Sequence, residues 1–223
     1  ARGLLKAGAM KTQIVGASVN LKGLHMASDS QFNRKSFTTG HTGFGIPFAI
    51  LPDRSDVPRS AGRPLRYMDR YVTVNQGEVF YITEALAQIE GLERGPAGNT
   101  SLTAAFSMAR EMDDNEIILV QETEYTGAGK HIRPQLGFAK SMGIDVNIGN
   151  PRDEICGANI ILPEEPEMIK AVDLDMNKLK QRYIRNAIKG YEITEADIDF
   201  LAEDTKSTVS FVKETIDEIR SRQ

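Results

Sequence analysis

Glu90-Gly91-Leu92-Glu93-Arg94-Gly95-Pro96-Ala97-Gly98-Asn99-Thr100 is the first of two glycine-rich stretches that decide the fold, and Thr126-Gly127-Ala128-Gly129-Lys130 is the second. A predicted helix and a predicted strand, the apolar run at residues 117–120, separate them. Open α/β sheets bind ligands in the crevice at the carboxyl ends of their strands. We therefore expect both turns at one edge of an α/β sheet, where they suit a planar, anionic cofactor.

The composition narrows the class of protein. The chain has 223 residues, 40% hydrophobic and 26% charged, as is typical of soluble globular proteins. Its net charge of −4 and its dispersed basic residues give no reason to expect nucleic acid, and no apolar run is long enough to span a membrane. The lone Cys156 excludes an intramolecular disulfide and fits the cytoplasm. We interpret Cys156 as a small buried residue rather than a nucleophile.

Periodicity predicts strands alternating with helices and then helices alone. Four consecutive apolar residues at 117–120 are typical of a buried parallel strand. Residues 23–64 are interpreted as an irregular excursion with one short strand near residues 49–51. We predict an α/β domain over residues 1–165 and a helical C-terminal appendage over 166–223 that packs on it. The other predicted strands are 12–19, 71–74, 144–148 and 160–162, and the predicted helices are 78–90, 100–112, 134–142, 174–189, 195–203 and 205–221.

The second glycine-rich stretch is the better candidate for a cofactor site. The hydroxyl of Thr126 follows the predicted strand and can donate a hydrogen bond to a ring nitrogen while staying neutral. Gly127 and Gly129 let the backbone approach a ligand closely. The motif is not a phosphate-binding P-loop, because no Ser or Thr follows Lys130. The alternative is a strand-to-helix turn whose glycines serve geometry alone.

The first stretch, at Gly98, Asn99 and Thr100, opens a predicted helix, with Asn99 as a natural N-cap. Helix N-termini bind anions, so these residues are candidates for contact with a phosphate or a substrate carboxylate; ordinary helix capping is the alternative. His41, flanked by glycines and hydroxyls, is a further candidate for substrate contact, although it also fits an exposed loop. No pair of histidines has the spacing of a metal site, and none is expected.

Basic residues recur between Arg54 and Arg70. Such a series is usually a solvated face. The alternative is a surface for an anionic substrate, such as a coenzyme A tail, or for a partner subunit.

Residues 71–130 resemble the pyridoxal-phosphate enzymes of fold type II, the tryptophan synthase β-like family. Glu90-Gly91, Gly95-Pro96 and Gly98 match the first glycine turn of that family, and Thr126–Lys130 matches the second. The resemblance implies a three-layer parallel sheet and pyridoxal 5′-phosphate as cofactor. Thr126 would then bond the pyridine nitrogen, and Gly127 and Gly129 would admit the ring.

The resemblance extends over nearly the whole chain to members that cleave a 2-amino-4-keto acid with coenzyme A. It implies acetyl-coenzyme A and alanine as products, in the degradation of ornithine. The implied partners are the amino-acid substrate, coenzyme A, a second (alpha) subunit and further copies of the chain in a homo-oligomer. No membrane and no nucleic acid are expected.

The resemblance also implies that parts of the enzyme are missing. In this family the lysine that binds the cofactor covalently and the glycine-rich phosphate loop both precede the segment that matches Ala1. We therefore expect the chain to be the C-terminal part of a longer enzyme and to be inactive alone. Two alternatives stay open: another fold type II lyase or synthase acting on amino acids, and a non-catalytic module that docks a partner through residues 166–223.

Overall fold

The computed structural model describes residues 3–4, 7–8, 11–38, 46–57, 68–122 and 132–222. The chain divides into two compact units. The first comprises Val15–Gly43 and Tyr71–Asp173, and the second comprises Ala1–Ile14, Phe44–Arg70 and Leu174–Gln223. Helices and strands both occur, which confirms the mixed α/β class.

Twelve helices and strands position the candidate site within the described residues. In chain order they are β1 Val15–Val19, α1 Ile46–Ile50, β2 Arg70–Val74, α2 Gln76–Glu90, α3 Asn99–Ala109, α4 Ile132–Ser141, β3 Asp145–Gly149, β4 Asn159–Pro163, β5 Val172–Asp173, α5 Asn177–Ala187, α6 Glu195–Asp204 and α7 Val209–Ser221. None of the helices in the described ranges is both long enough and apolar enough to cross a membrane.

The first unit contains two small sheets. One has the strand order β1-β2-β5, in which β2 and β5 are antiparallel and Val72 lies opposite Asp173. The other is a parallel pair, β3 and β4, in which Asp145 lies opposite Asn159. The predicted strands at 71–74, 144–148 and 160–162 are confirmed to within two residues at each end. The strand predicted at 12–19 is confirmed in its second half as β1.

Helix α2 joins the two hydrophobic clusters of the first unit. Val79 packs into one cluster and Phe80 into the other, and both side chains are fully buried. The predicted apolar stripe is therefore correct for the first half of the helix. At its other end the prediction is wrong, because Ile89 is 77% exposed. The first cluster contains Val19, Leu21, Phe32, Val72, Val74 and Ala104; the second contains Phe37, Ala139, Ile144 and Ile160.

The first turn of α2 crosses β4 at Gly77. A Cβ atom at this position would overlap the backbone carbonyl of Ile161. Because every other residue type carries a Cβ, only glycine allows the helix and the strand to approach this closely.

Two of the predicted strands are wrong. Residues 117–120 belong to no strand, and Ile117 and Leu119 are 89% and 95% exposed. A buried parallel strand needs neighbouring strands and covering helices, and the described residues supply no strand partner for this run. Residues 49–51 are not a strand either, since Ile46–Ile50 forms a one-turn helix whose second residue, Pro47, fixes a helical φ.

The second unit has a helical core. Helices α5, α6 and α7 pack around Ile184, Leu201, Ala202, Val212 and Ile216. The predicted capping box begins α6, with Thr194 Oγ1 accepting from Asp197 N at 3.3 Å and Asp197 Oδ2 accepting from Thr194 N at 2.9 Å. The three helices predicted after Pro166 are confirmed, and the apolar face of α7 is used within this unit. The domain boundary at residue 165 stays a prediction.

Candidate functional site

The first glycine turn leads into α3, but the helix begins differently from the prediction. Gly98 is the N-cap and Asn99 is the first helical residue, so the expected N-cap at Asn99 is wrong. Asn99 is fully buried, and its Nδ2 donates to Thr83 Oγ1 at 3.1 Å. Its Oδ1 is buried without a hydrogen-bond partner among the described residues. Inward bonding to α2 draws Asn99 away from the capping position.

The buried face of α3 is polar and small rather than aromatic. Thr100 is buried, and its hydroxyl lies 3.4 Å from the Pro96 carbonyl. Thr103 donates to the Asn99 carbonyl at 2.7 Å, which satisfies a second buried hydroxyl. Phe106, by contrast, is 37% exposed, although its spacing predicts an inward position. The substrate-binding roles of Gly98, Asn99 and Thr100 stay predictions.

The start of α3 lies against the residues that lead into the second glycine-rich stretch. Ser101 Oγ donates to the Gln121 carbonyl at 2.9 Å and lies 3.0 Å from the Gly98 carbonyl. Arg94, in the first turn, forms an ion pair with Glu122, with Nε 3.8 Å from Oε2. The first turn and the residues directly before the second stretch are therefore neighbours, as the sequence predicts for one edge of the fold.

The predicted cofactor residues Thr126, Gly127 and Gly129 lie outside the described residues, as does His41. Arg59, Arg63 and Arg66 of the basic series also lie outside them. Arg54 lies within them, and its guanidinium forms an ion pair with Asp56 at 2.5 Å.

The other helix N-terminus of this unit is closed by a carboxylate of the chain itself. Glu154 accepts from Gln76 N and Gly77 N, both at 3.0 Å, and from Ile161 N at 3.2 Å. The first N–H groups of a helix lack intrahelical partners and carry partial positive charge, so a carboxylate there is favourable. The N-terminus of α2 therefore binds Glu154 and not an external anion.

Glu78 forms a second buried carboxylate in the same turn of α2. It accepts from Asn75 N at 2.6 Å and from Lys170 N at 2.8 Å, and it forms an ion pair with Arg152. Burial raises the pKa of Glu78, and these donors offset part of that rise. The site ties α2 to the turn at Pro151–Asp153 and to the segment that follows Ile169.

Burial raises the pKa of Glu154 to about 7, although three backbone N–H groups favour its charged form. The neighbouring charge of Glu78 adds to the rise. This carboxyl therefore changes its protonation near neutral pH, which makes the junction of α2 and β4 sensitive to pH.

The sequence interpretation missed this pair of carboxylates. The spacing of Asn75 and Glu78 is that of a capping box and offered a signal for Glu78. Glu154 is 77 residues from Gly77, and no local pattern links them.

A cavity of about 500 Å³ lies beside Glu154 and is also lined by Lys22, Lys35 and Cys156. Burial and the nearby Glu154 raise the pKa of the Cys156 thiol to about 11. Because the thiolate is the reactive form, this environment agrees with an unreactive Cys156. No group of three or more His, Cys, Asp or Glu placed to hold a metal ion occurs in the part of the chain that the structure describes.

The comparisons with known proteins place this chain beside one kind of enzyme subunit. It is 69% identical over 223 residues to the 2-amino-4-ketopentanoate thiolase beta subunit of Acetoanaerobium sticklandii, covering 99% of this chain and 47% of that protein. It is 60% identical over 225 residues to a second protein of the same name, from an unknown prokaryotic organism, covering 100% of this chain and 48% of that protein.

The chain thus spans about half the length of the curated relatives it matches. No family model and no solved structure matches it. The sequence interpretation, a thiolase of 2-amino-4-keto acids, agrees with the names of both relatives.

Proposed function

We propose that this chain is the C-terminal part of a pyridoxal-phosphate-dependent thiolase subunit that cleaves 2-amino-4-ketopentanoate with coenzyme A. The observation that carries the proposal is the 69% identity, over 99% of the chain, to a protein named as the beta subunit of that thiolase. At this identity over 223 residues the two chains share their core and most of their surface.

The reaction balances without an oxidant or a reductant. The thiol sulfur of coenzyme A attacks the C4 carbonyl, the bond between C3 and C4 breaks, and C3 takes up a proton. The acetyl group leaves as acetyl-coenzyme A, and the remaining carbons form alanine. Bound pyridoxal phosphate would supply the electron sink for the carbon that loses the acetyl group.

The residues of this chain fit one wall of such a site. We propose that Thr126 donates a neutral hydrogen bond to the ring nitrogen and that Gly127 and Gly129 let the ring approach the backbone. Support comes from the contact of Ser101 Oγ with the Gln121 carbonyl, since it brings the start of α3 to the residues that precede this motif. The buried, unpartnered Asn99 Oδ1 in the same turn would accept from a bound polar group or an ordered water.

Several further features belong to the proposal. The covalent lysine and the phosphate loop would lie in the half of the relatives that this chain does not span. The relatives are named beta subunits, so we propose an alpha partner and a homo-oligomer of this subunit, in the cytoplasm. The three-layer sheet of the tryptophan synthase β-like family is proposed for the complete subunit.

The proposal is tested with the full-length polypeptide, loaded with pyridoxal phosphate and mixed with its alpha partner. We expect 2-amino-4-ketopentanoate and coenzyme A to be converted into equimolar acetyl-coenzyme A and alanine. Thr126→Val should lower kcat about 10- to 100-fold, because one hydrogen bond to the ring is lost. Thr126→Ser is the matched control and should keep most of the activity.

A cofactor titration gives a readout that does not depend on turnover. Thr126→Val should weaken pyridoxal-phosphate binding or shift its absorbance, and Thr126→Ser should do neither. Formation of pyruvate and ammonia from an amino acid, with no acetyl-coenzyme A, would instead assign the subunit to the lyases of the same family.

A further inference from the structure

The second unit contains a large basic groove that the proposed chemistry leaves unassigned. Its volume is about 970 Å³, which lies at the upper end of the range for small-molecule sites. Helices α5 and α7 and the turn between α5 and α6 line it. All its lining residues belong to this one unit.

The charge of the groove is opposite to that of the chain. Six basic residues and only three acidic residues line it, whereas the whole chain carries a net charge of −4. Asp53 neutralises part of this charge through ion pairs with Arg182 at 3.3 Å and Arg185 at 2.6 Å. The groove thus keeps an excess of positive charge. The six basic residues are Lys178, Arg182, Arg185, Lys189, Arg220 and Arg222.

Three of these cations have no acidic partner within the described ranges: Lys178, Lys189 and Arg220, all exposed. Basic residues in the last turn of a helix complement its dipole, which by itself accounts for Arg220. It does not account for Lys178, which lies in the first turn of α5, where the dipole disfavours a cation. The convergence of all three on one cavity indicates an anionic ligand.

The turn between α5 and α6 adds an aromatic ring to the groove. Gly190 has φ of +82°, a conformation that glycine adopts without strain, and it reverses the chain after α5. The reversal places Lys189 and Tyr191 together at the groove, and Tyr191 is 75% exposed. An exposed tyrosine ring beside unpaired cations is the combination that binds a base and its phosphates.

We propose that this groove binds the adenosine 3′,5′-bisphosphate portion of coenzyme A, with Tyr191 stacking on the adenine and Lys178, Lys189 and Arg220 contacting the phosphates. The inference rests on the proposed function, in which coenzyme A is the second substrate. Arg182 and Arg185, which Asp53 holds in place, shape the floor of the groove. A concave cavity of this volume favours a nucleotide over the flat acidic surface of a protein partner.

The test measures binding of adenosine 3′,5′-bisphosphate to the full-length polypeptide by calorimetry, which requires no turnover. The double variant Lys189→Glu/Arg220→Glu should weaken binding at least 10-fold and raise the KM for coenzyme A without a matching fall in kcat. Tyr191→Ala should weaken binding about 5- to 10-fold, and Tyr191→Phe should retain it, because stacking uses the ring. Circular dichroism confirms the fold of each variant.

Lys140→Glu/Lys170→Glu is the matched control, since it reverses two exposed lysines of the first unit. This control should leave the affinity unchanged. Equal affinity in the wild type and in the groove variant overturns the inference, even if the enzyme thiolyses its substrate. Equal affinity for inorganic phosphate and for the bisphosphate also overturns it.

The other outcomes separate this inference from the proposed function. Groove-dependent binding of the bisphosphate supports the inference even if no acetyl-coenzyme A forms, in which case only the thiolase reaction fails. If the groove variant loses its alpha partner but keeps its nucleotide affinity, the surface binds protein and the inference is wrong.

Discussion

At the scale of single residues, Gly77 sets the tightest steric constraint described in this chain. Its backbone lies directly against the Ile161 carbonyl, so a methyl group at this position must push α2 away from β4. The same helix carries Val79 and Phe80 into the two clusters of the first unit. A small displacement here would therefore disturb both clusters.

We predict that Gly77→Ala lowers the free energy of unfolding by about 3 kcal/mol or more, the range expected for severe overpacking. The measurement is urea unfolding followed by circular dichroism. Gly137→Ala is the control, because Gly137 lies in α4 and a methyl group added there would meet no atom within 4 Å. That change should be neutral or should stabilise by up to about 1 kcal/mol. A loss below about 1 kcal/mol for Gly77→Ala would contradict the close approach.

Glu154 gives the first unit a pH dependence that can be predicted in sign. Its pKa is raised to about 7 in the folded chain from an ordinary value of 4.5. The folded state therefore holds this proton more tightly than the unfolded state does. The resulting stabilisation is fully present below pH 4.5 and is lost as the pH rises through about 7.

We expect wild type to gain about 1–3 kcal/mol of unfolding free energy relative to Glu154→Gln when the pH falls from about 8 to about 5. The variant cannot titrate at this position, so the difference between the two profiles isolates Glu154. Urea unfolding at several pH values provides the measurement. Parallel profiles would show that the three N–H donors keep the carboxylate charged throughout.

At the scale of elements, the sequence predicts best where local chemistry decides the outcome. The capping box at Thr194 and Asp197 is a short-range pattern, and the structure begins α6 at the residue after Thr194. The helices at Gln76–Glu90 and Ile132–Ser141 likewise follow from periodicity within a single segment. Their boundaries differ from the predicted ones by two residues or fewer.

Residues 117–120 show where such prediction ends. Four apolar residues in a row describe what a segment can become, but pairing depends on other strands that a local pattern does not contain. Asn99 shows the same limit within the candidate site. Its residue type favours an N-cap, and the distant Thr83 draws its side chain inward instead.

We predict that Thr194→Ala lowers the unfolding free energy of the second unit by about 1 kcal/mol, because the N-cap of α6 loses its side-chain acceptor. Thr194→Ser keeps the hydroxyl and should stay within about 0.5 kcal/mol of wild type. Thermal unfolding of the three proteins gives the comparison. Equal melting temperatures for the alanine and serine variants would mean that the cap contributes nothing.

At the scale of the whole molecule, the two units have separate buried clusters. Phe80 is fully buried in the first unit and Val212 in the second. Each cluster is built from residues of its own unit. A cavity made in one cluster should therefore act first on the unit that contains it.

We expect Phe80→Ala to cost about 3–5 kcal/mol and Val212→Ala to cost about 1–4 kcal/mol. Hydrogen exchange measured by mass spectrometry should show faster exchange mainly at residues 71–173 in the first variant and at 174–222 in the second. Equal acceleration across both ranges in either variant would show that the two units unfold as one.

The exposed run at residues 117–120 has a consequence for self-association. An extended apolar segment with open backbone groups is a template for stacking identical chains into fibrils. Glu116 and Glu122 flank this run, and stacking in register would bring like charges together. Burial raises the pKa of Glu122, so part of this repulsion is lost at a higher pH than for an ordinary glutamate. Acidic conditions should therefore promote aggregation through this segment before they unfold the rest of the chain.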